Sequence, residues 1–259
     1  MKTLIFIFTF FLSGTCLFSQ DIPSPDVLES LGGYVDLGHE VVDLNGDGIS
    51  DVINLVVHNE DGDFSNFVLM INEQDIKGKH SYNVDKFIVI DLDKSDKQKE
   101  VAVHTPNPNG PDEYIIYKYD DTQITEIGRT HSTTTFNGDG TLDVVTYMPF
   151  WDRLDVYVYD RQTDEITWQP KEYYTLDIDC KVLEEMPVFL TINSRGFSEK
   201  LKKGQTIKII KAIHKPDCNE TGAYAWGMCD EFQYVTESGS EGWATMKQMM
   251  GNIDLPLIP

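Results

Sequence analysis

Between residues 41 and 170 short apolar runs alternate with polar breaks. Val52-Ile53-Asn54-Leu55-Val56-Val57 is followed by a polar turn and then Phe67-Val68-Leu69-Met70-Ile71. Val101-Ala102-Val103 is followed by a Pro- and Asn-rich turn at 106–111 and then Tyr114-Ile115-Ile116-Tyr117-Lys118-Tyr119. Val144-Val145-Thr146-Tyr147 is followed by a turn at 149–153 and then Leu154-Asp155-Val156-Tyr157-Val158-Tyr159. These runs are β-branched, aromatic and partly alternating, and Pro, Gly, Asn and Asp bound them. The pattern predicts strands joined as hairpins. A third strand is expected to close each unit, at Phe87–Ile90, Gln123–Ile127 and Glu165–Trp168. No stretch between them carries the helical period.

One polar segment recurs before each pair of runs. It reads Asp43-Leu44-Asn45-Gly46-Asp47-Gly48-Ile49-Ser50-Asp51, then Asp91-Leu92-Asp93-Lys94-Ser95-Asp96-Lys97-Gln98-Lys99-Glu100, then Thr135-Phe136-Asn137-Gly138-Asp139-Gly140-Thr141-Leu142-Asp143. A unit of about 45 residues with three or four strands has the size of a propeller blade. A β-sandwich with evenly spaced hairpins would not require the repeated segment. The expected class is therefore all-β, with a propeller-like domain of three or four small blades over residues 21–182. The flanks at 21–40 and 171–193 would supply a degenerate fourth blade or cover the edges.

In the first loop, side-chain oxygens stand at alternate positions, which lets a tight turn aim Asp43, Asn45 and Asp47 at one point. Gly48 permits the left-handed backbone that such a turn needs. The Ile49 carbonyl and Asp51 would complete the shell. Hard oxygen ligands on a flexible loop suit Ca²⁺ better than Mg²⁺, and the lack of His or Cys disfavours zinc and copper. It is not an EF-hand, because the closing acid comes at the ninth position and strands flank the loop. The second loop keeps Asp91, Asp93 and Ser95 but loses the glycine and gains a residue before Glu100. In the third, Thr135 replaces the first Asp, and Asn137, Asp139, Thr141 and Asp143 follow with one charge fewer. Weaker binding is expected at the third loop; in the second, Asp96 could compensate for the changes. The competing reading of each loop is an Asp/Asn/Gly turn without a metal.

The loop and its spacing resemble the FG-GAP and VCBS repeats of integrin-like β-propellers, over residues 35–170. The resemblance implies calcium held by Asp43, Asn45, Asp47, the Ile49 carbonyl and Asp51, in a stiffened scaffold that presents a binding surface. The Phe-Gly/Gly-Ala-Pro signature of the family is absent.

The repeat stops near Leu183. Lys202-Lys203-Gly204 enters an alternating strand that runs to Lys211, Trp226 to Val235 gives another, and Glu241-Gly242-Trp243-Ala244 follows. This order resembles the bacterial SH3 domain, which implies a small SH3-like barrel over residues 183–259. Trp226, Tyr234 and Trp243 would line its groove or fill its core.

The first twenty residues have the order of a secretory signal peptide: Lys2, an apolar run from Leu4 to Leu12, and small polar residues after it. Lipid anchoring through Cys16 is the alternative. Secretion implies an oxidising compartment, and Cys218 and Cys229 are the preferred disulfide pair, leaving Cys180 free or bonded to another chain. The 43 Asp and Glu outnumber the 21 Lys and Arg, a formal charge of −22. That excludes nucleic-acid or anionic-membrane binding through a general field. No later segment is a transmembrane span. The resulting expectation is a secreted, non-enzymatic calcium-binding protein whose partner is a protein or glycan at the bacterial cell envelope. One alternative is a periplasmic inhibitor of a basic lysozyme-type hydrolase, toward which the acidic surface would steer. Another is a glycoside hydrolase using Asp152 and Asp155. The six histidines are dispersed, without metal-ligand spacing.

Overall fold

The computed structural model describes residues 33–59, 62–106, 112–192, 199–216 and 227–256. The expected signal segment and Cys16 lie outside these residues. Strands β1 (Tyr34–Val42), β2 (Asp51–His58), β3 (Asn66–Ile71) and β4 (Gln74–Lys79) form a four-stranded antiparallel meander. A second meander follows in β5 (Lys86–Ile90), β6 (Glu100–Thr105), β7 (Glu113–Tyr119) and β8 (Ile124–Thr130). The third comprises β9 (Thr133–Phe136), β10 (Thr141–Tyr147), β11 (Asp152–Asp160) and β12 (Glu165–Gln169). In each sheet the repeated loop joins the first strand to the second.

The strand allocation differs from the expectation in one respect. Phe87–Ile90 opens the second sheet as part of β5 and does not close the first. The first sheet is closed by β4, whose residues alternate half-buried and exposed. Its sequence, Gln-Asp-Ile-Lys-Gly-Lys, carries one apolar residue and so little period-two signal.

The three sheets pack face to face. Ile53, Leu55, Val57, Phe67 and Leu69 of the first meet Val101, Val103, Ile115 and Tyr117 of the second. The other face of the second sheet turns Ala102 and Ile116 toward Leu142, Tyr157, Tyr159 and Ile166 of the third. The middle sheet is thus covered on both sides, which is why every residue of β6 is buried. Close approach has a local requirement: a Cβ on Gly128 of β8 would stand 2.7 Å from Ile166 Cβ of β12.

The C-terminal part comprises β13 (Tyr174–Lys181), β14 (Met186–Val188), β15 (Glu199–Leu201), β16 (Thr206–Ile213), β17 (Glu231–Thr236) and β18 (Glu241–Thr245). It ends in a one-turn helix, α1 (Met246–Met249), capped reciprocally by Thr245 and Gln248. Its main sheet has the order β13-β16-β17-β18, and β14 pairs with β15. This sheet therefore begins before residue 183, in the segment expected to patch the repeats. Among the described residues the strands form small antiparallel sheets and close no barrel.

Met148, Phe150 and Trp151, from the turn between β10 and β11, enter the core of this sheet. The Phe150 and Phe232 rings lie 5.0 Å apart, and Trp151 lies 5.3 Å from Tyr174. Tyr234 is a core residue and Trp243 is half-buried, while Trp226 lies outside the described residues. Cys180 is buried and free. Cys229 is disulfide-bonded, and the expected partner, Cys218, lies outside the described residues. No helix among the described residues is long and apolar enough to cross a membrane.

Candidate functional site

The three loops lie side by side at one end of the stacked sheets. Lys99 N–H donates to Leu44 O at 2.7 Å, which joins the second loop to the first. Lys94 N–H donates to Gly138 O at 3.0 Å and Gly140 N–H to Leu92 O at 2.7 Å, which joins the third to the second. Gly46 and Gly138 sit at these seams with positive φ, and a side chain on either would run into Lys97 or Lys94.

In the first loop the alternate side chains fold back onto the loop's own backbone. Asp43 accepts the N–H groups of Gly46 at 2.7 Å and Gly48 at 3.0 Å. Asn45 Oδ1 accepts Asp47 N–H at 2.9 Å, and Asp47 Oδ1 accepts Ile49 N–H at 2.6 Å. The Ile49 side chain points to solvent. Asp51 is buried at the start of β2, where Oδ2 accepts Leu44 N–H at 2.9 Å and Oδ1 accepts Asn72 Nδ2 at 2.8 Å. Asn45 Nδ2 donates to Asp121, which arrives from the turn between β7 and β8.

The second loop repeats the plan with different parts. Glu100, buried at the start of β6, accepts Leu92 N–H at 3.0 Å. Burial pushes its carboxyl up to about 7; Asp96 and Asp91 nearby add to this, and the Leu92 N–H opposes it. Asp93 Oδ1 accepts Ser95 N–H at 3.0 Å. Its Oδ2 takes the Arg161 guanidinium, which also donates to Ser95 Oγ at 2.6 Å. Asp91 Oδ1 is buried without a hydrogen-bond partner.

The third loop is the most self-contained. Asp139 accepts both the N–H and the hydroxyl of Thr141, at 3.0 and 2.6 Å, and these bonds hold its carboxyl below the usual range. Asn137 donates to Thr141 Oγ1 at 3.0 Å, and Asp143 is half-buried in β10.

As a donor set the first loop fits a hard cation, being all oxygen with three carboxylates and an amide. Among the described residues, however, no three His, Cys, Asp or Glu side chains converge closely enough to hold a metal ion. The loop oxygens point at backbone N–H groups.

The acid pair considered for hydrolysis is not assembled. Asp152 and Asp155 are three apart on β11, so they face opposite sides of the strand. Asp152 is exposed. Asp155 is buried, with Oδ2 on Arg153 at 2.7 Å and Oδ1 on the Tyr174 hydroxyl at 2.5 Å.

The opposite end of the stack holds a cluster that the sequence did not disclose. Buried His104 of β6 lies 2.5 Å from Asp85 through Nδ1, and its Nε2 is 3.2 Å from Asp112 but out of line for a hydrogen bond. Buried His80, just past β4, shares its Nε2 with Val103 O at 3.1 Å and faces Glu113 at 3.5 Å. His131 approaches the same Glu113 at 3.8 Å. Beside them an open cavity of about 650 Å³ is lined by Asp63, Ser65, Lys79, His80, Tyr82 and Asn83 among others. The clustered side chains come from the β4–β5, β6–β7 and β8–β9 connections and from β6 and β7, so no single motif in the sequence marks them. No protein-family model and no curated protein sequence matches this chain.

Proposed function

We propose that this is a secreted, calcium-binding, non-enzymatic protein of the bacterial cell envelope that binds a protein or glycan partner, with FG-GAP/VCBS-type propeller-like repeats followed by an SH3-like module. The carrying observation is the first loop. It gathers Asp43, Asn45, Asp47 and Asp51 beside Asp121. Among the described residues no Lys or Arg pairs with these acids. With no cationic side chain against them, these carboxylates can turn from the loop's N–H groups to an external cation, and a hard oxygen set favours Ca²⁺. The loops seam the three sheets together, so a bound ion would stiffen the scaffold.

A thermal melt tests this reading. Calcium at a hundredfold excess over its Kd should stabilise the fold by about 2.7 kcal/mol, and a chelator should reverse the gain. Asp47→Ala should remove most of the response; equal curves with calcium and with chelator for the native chain would overturn the calcium assignment. The envelope role is tested by co-sedimentation with peptidoglycan and by pull-down from native envelope.

The charge of −22 favours one second reading, inhibition of a basic lysozyme-type hydrolase. Protection of peptidoglycan in a turbidity assay, weakening with salt, would support it; no protection across several lysozymes would sink it.

A further inference from the structure

The turn after the third strand occupies the same place in successive sheets, above the loop of the preceding sheet. In the second sheet this turn, residues 120–123, reaches the first loop. In the third sheet the equivalent turn, residues 161–164, reaches the second loop. The two turns deliver opposite charges. Asp121, held at a positive φ of 70°, brings a carboxylate to Asn45. Arg161 brings a guanidinium that donates to Asp93 and to Ser95 Oγ at 2.6 Å, with Asp96 3.7 Å away.

We propose that Arg161 is the resident cation of the second loop and selects against a divalent ion there, so that calcium binding is confined to the first loop. Asp93 and Ser95 are two of the alternate oxygens that a metal would use, and the guanidinium already engages both. A divalent ion would have to displace it from Asp93 and Ser95, against its ion pair and the repulsion between like charges. All of these contacts are made by one guanidinium nitrogen, Nη2, so the charge at that point does the bridging. Ser95 stands where the first loop has Asp47, although Asp93 and Asp96 stand where it has Asn45 and Gly48; the second loop also carries Lys94, Lys97 and Lys99, and the first carries no Lys or Arg. The third loop carries a related device: the Lys94 side chain lies across Gly138, its Nζ 2.9 Å from where a Cβ would stand. The first loop, by contrast, receives a further acid from its neighbour. The confinement to one loop rests on the calcium reading above; the resident-cation role does not.

The test uses the full mature chain with Arg161→Gln, and Arg161→Lys as the charge-retaining control. In chelator, R161Q should melt about 2–4 °C below the native chain, and R161K should recover part of the loss. In calorimetric titration with CaCl₂, the native chain should bind one equivalent and R161Q two. Asp93→Ala should leave the native equivalent in place. An unchanged R161Q melt in chelator would overturn the proposal. So would a native chain that loses an equivalent with D93A. A lowered melt in chelator with no calcium bound by either protein would uphold the resident cation while removing the calcium reading of the first loop.

Discussion

Glu100 does in the second loop what Asp51 does in the first. Each is buried at the start of its sheet's second strand, and each accepts the N–H of the residue after the loop's first Asp: Leu44 for Asp51 at 2.9 Å, Leu92 for Glu100 at 3.0 Å. The second loop is one residue longer, and the acid that closes it is one methylene longer. Both Leu44 and Leu92 are fully buried, so the two carboxylates pin apolar anchors into the sheet interfaces.

This equivalence makes chain length the expected determinant. Glu100→Asp should shorten the reach and leave the Leu92 N–H without its partner, at a cost of about 1–3 kcal/mol. Urea unfolding in chelator measures it. An unchanged midpoint would show that the hydrogen bond is dispensable.

Gly46 and Gly48 both adopt positive φ, 77° and 89°, yet their surroundings differ. A Cβ at Gly46 would strike the Lys97 side chain and stand 3.0 Å from Lys97 O, whereas nothing lies within 4 Å of one at Gly48. Gly48→Ala should therefore cost only backbone strain, about 1 kcal/mol, and Gly46→Ala clearly more, because it also wedges the seam between loops. Equal losses on denaturation would argue against a tight seam.

Acid sensitivity is expected from the far end of the stack. Burial holds His80 below its ordinary value of 6.5, opposed by Val103 O and Glu113 and aided by Arg129. The unfolded chain then takes up the proton first as pH falls through about 6.5. Stability should decline below that point and level off once pH passes the folded-state value. His80→Gln should flatten this part of a melting-temperature profile between pH 7 and 5; parallel profiles for the two proteins would remove His80 as a cause.

Cys180 should be inert in the native protein. It is buried in β13, and burial pushes its thiol up to about 11, with Asp254 and Asp179 adding to the effect. Little thiolate exists at pH 8. Peptide mass spectrometry after alkylation should find it labelled only under denaturing conditions. Native labelling within minutes would contradict its placement.

Much of the architecture was legible because it is written in local chemistry. Asp, Asn and Gly at fixed offsets make a turn wherever they occur, so the three loops stood out before any fold was known. The β-branched runs 52–57, 101–103 and 144–147 became β2, β6 and β10. The polar strand β4 did not stand out, because hydrogen bonding to β3 holds it there and its own apolar pattern does not. For the same reason Phe87–Ile90 reads equally well as an ending or a beginning.

The sequence by itself determined that the chain is all-β, repeated and acidic, and which oxygen-bearing residues each loop offers. Tertiary structure alone decided how those loops are completed. Asp121 reaches Asn45 across 76 positions, and Arg161 reaches Asp93 across 68. The cluster at the other end is more local: His104 and Glu113 lie on paired strands of one hairpin, and His80 joins them from the segment after β4. Face-to-face packing of the sheets sets the Asp121 and Arg161 meetings, and packing depends on contacts far apart in the chain. Local residue patterns can specify a turn or a strand, but they do not encode which distant charge will lie above it.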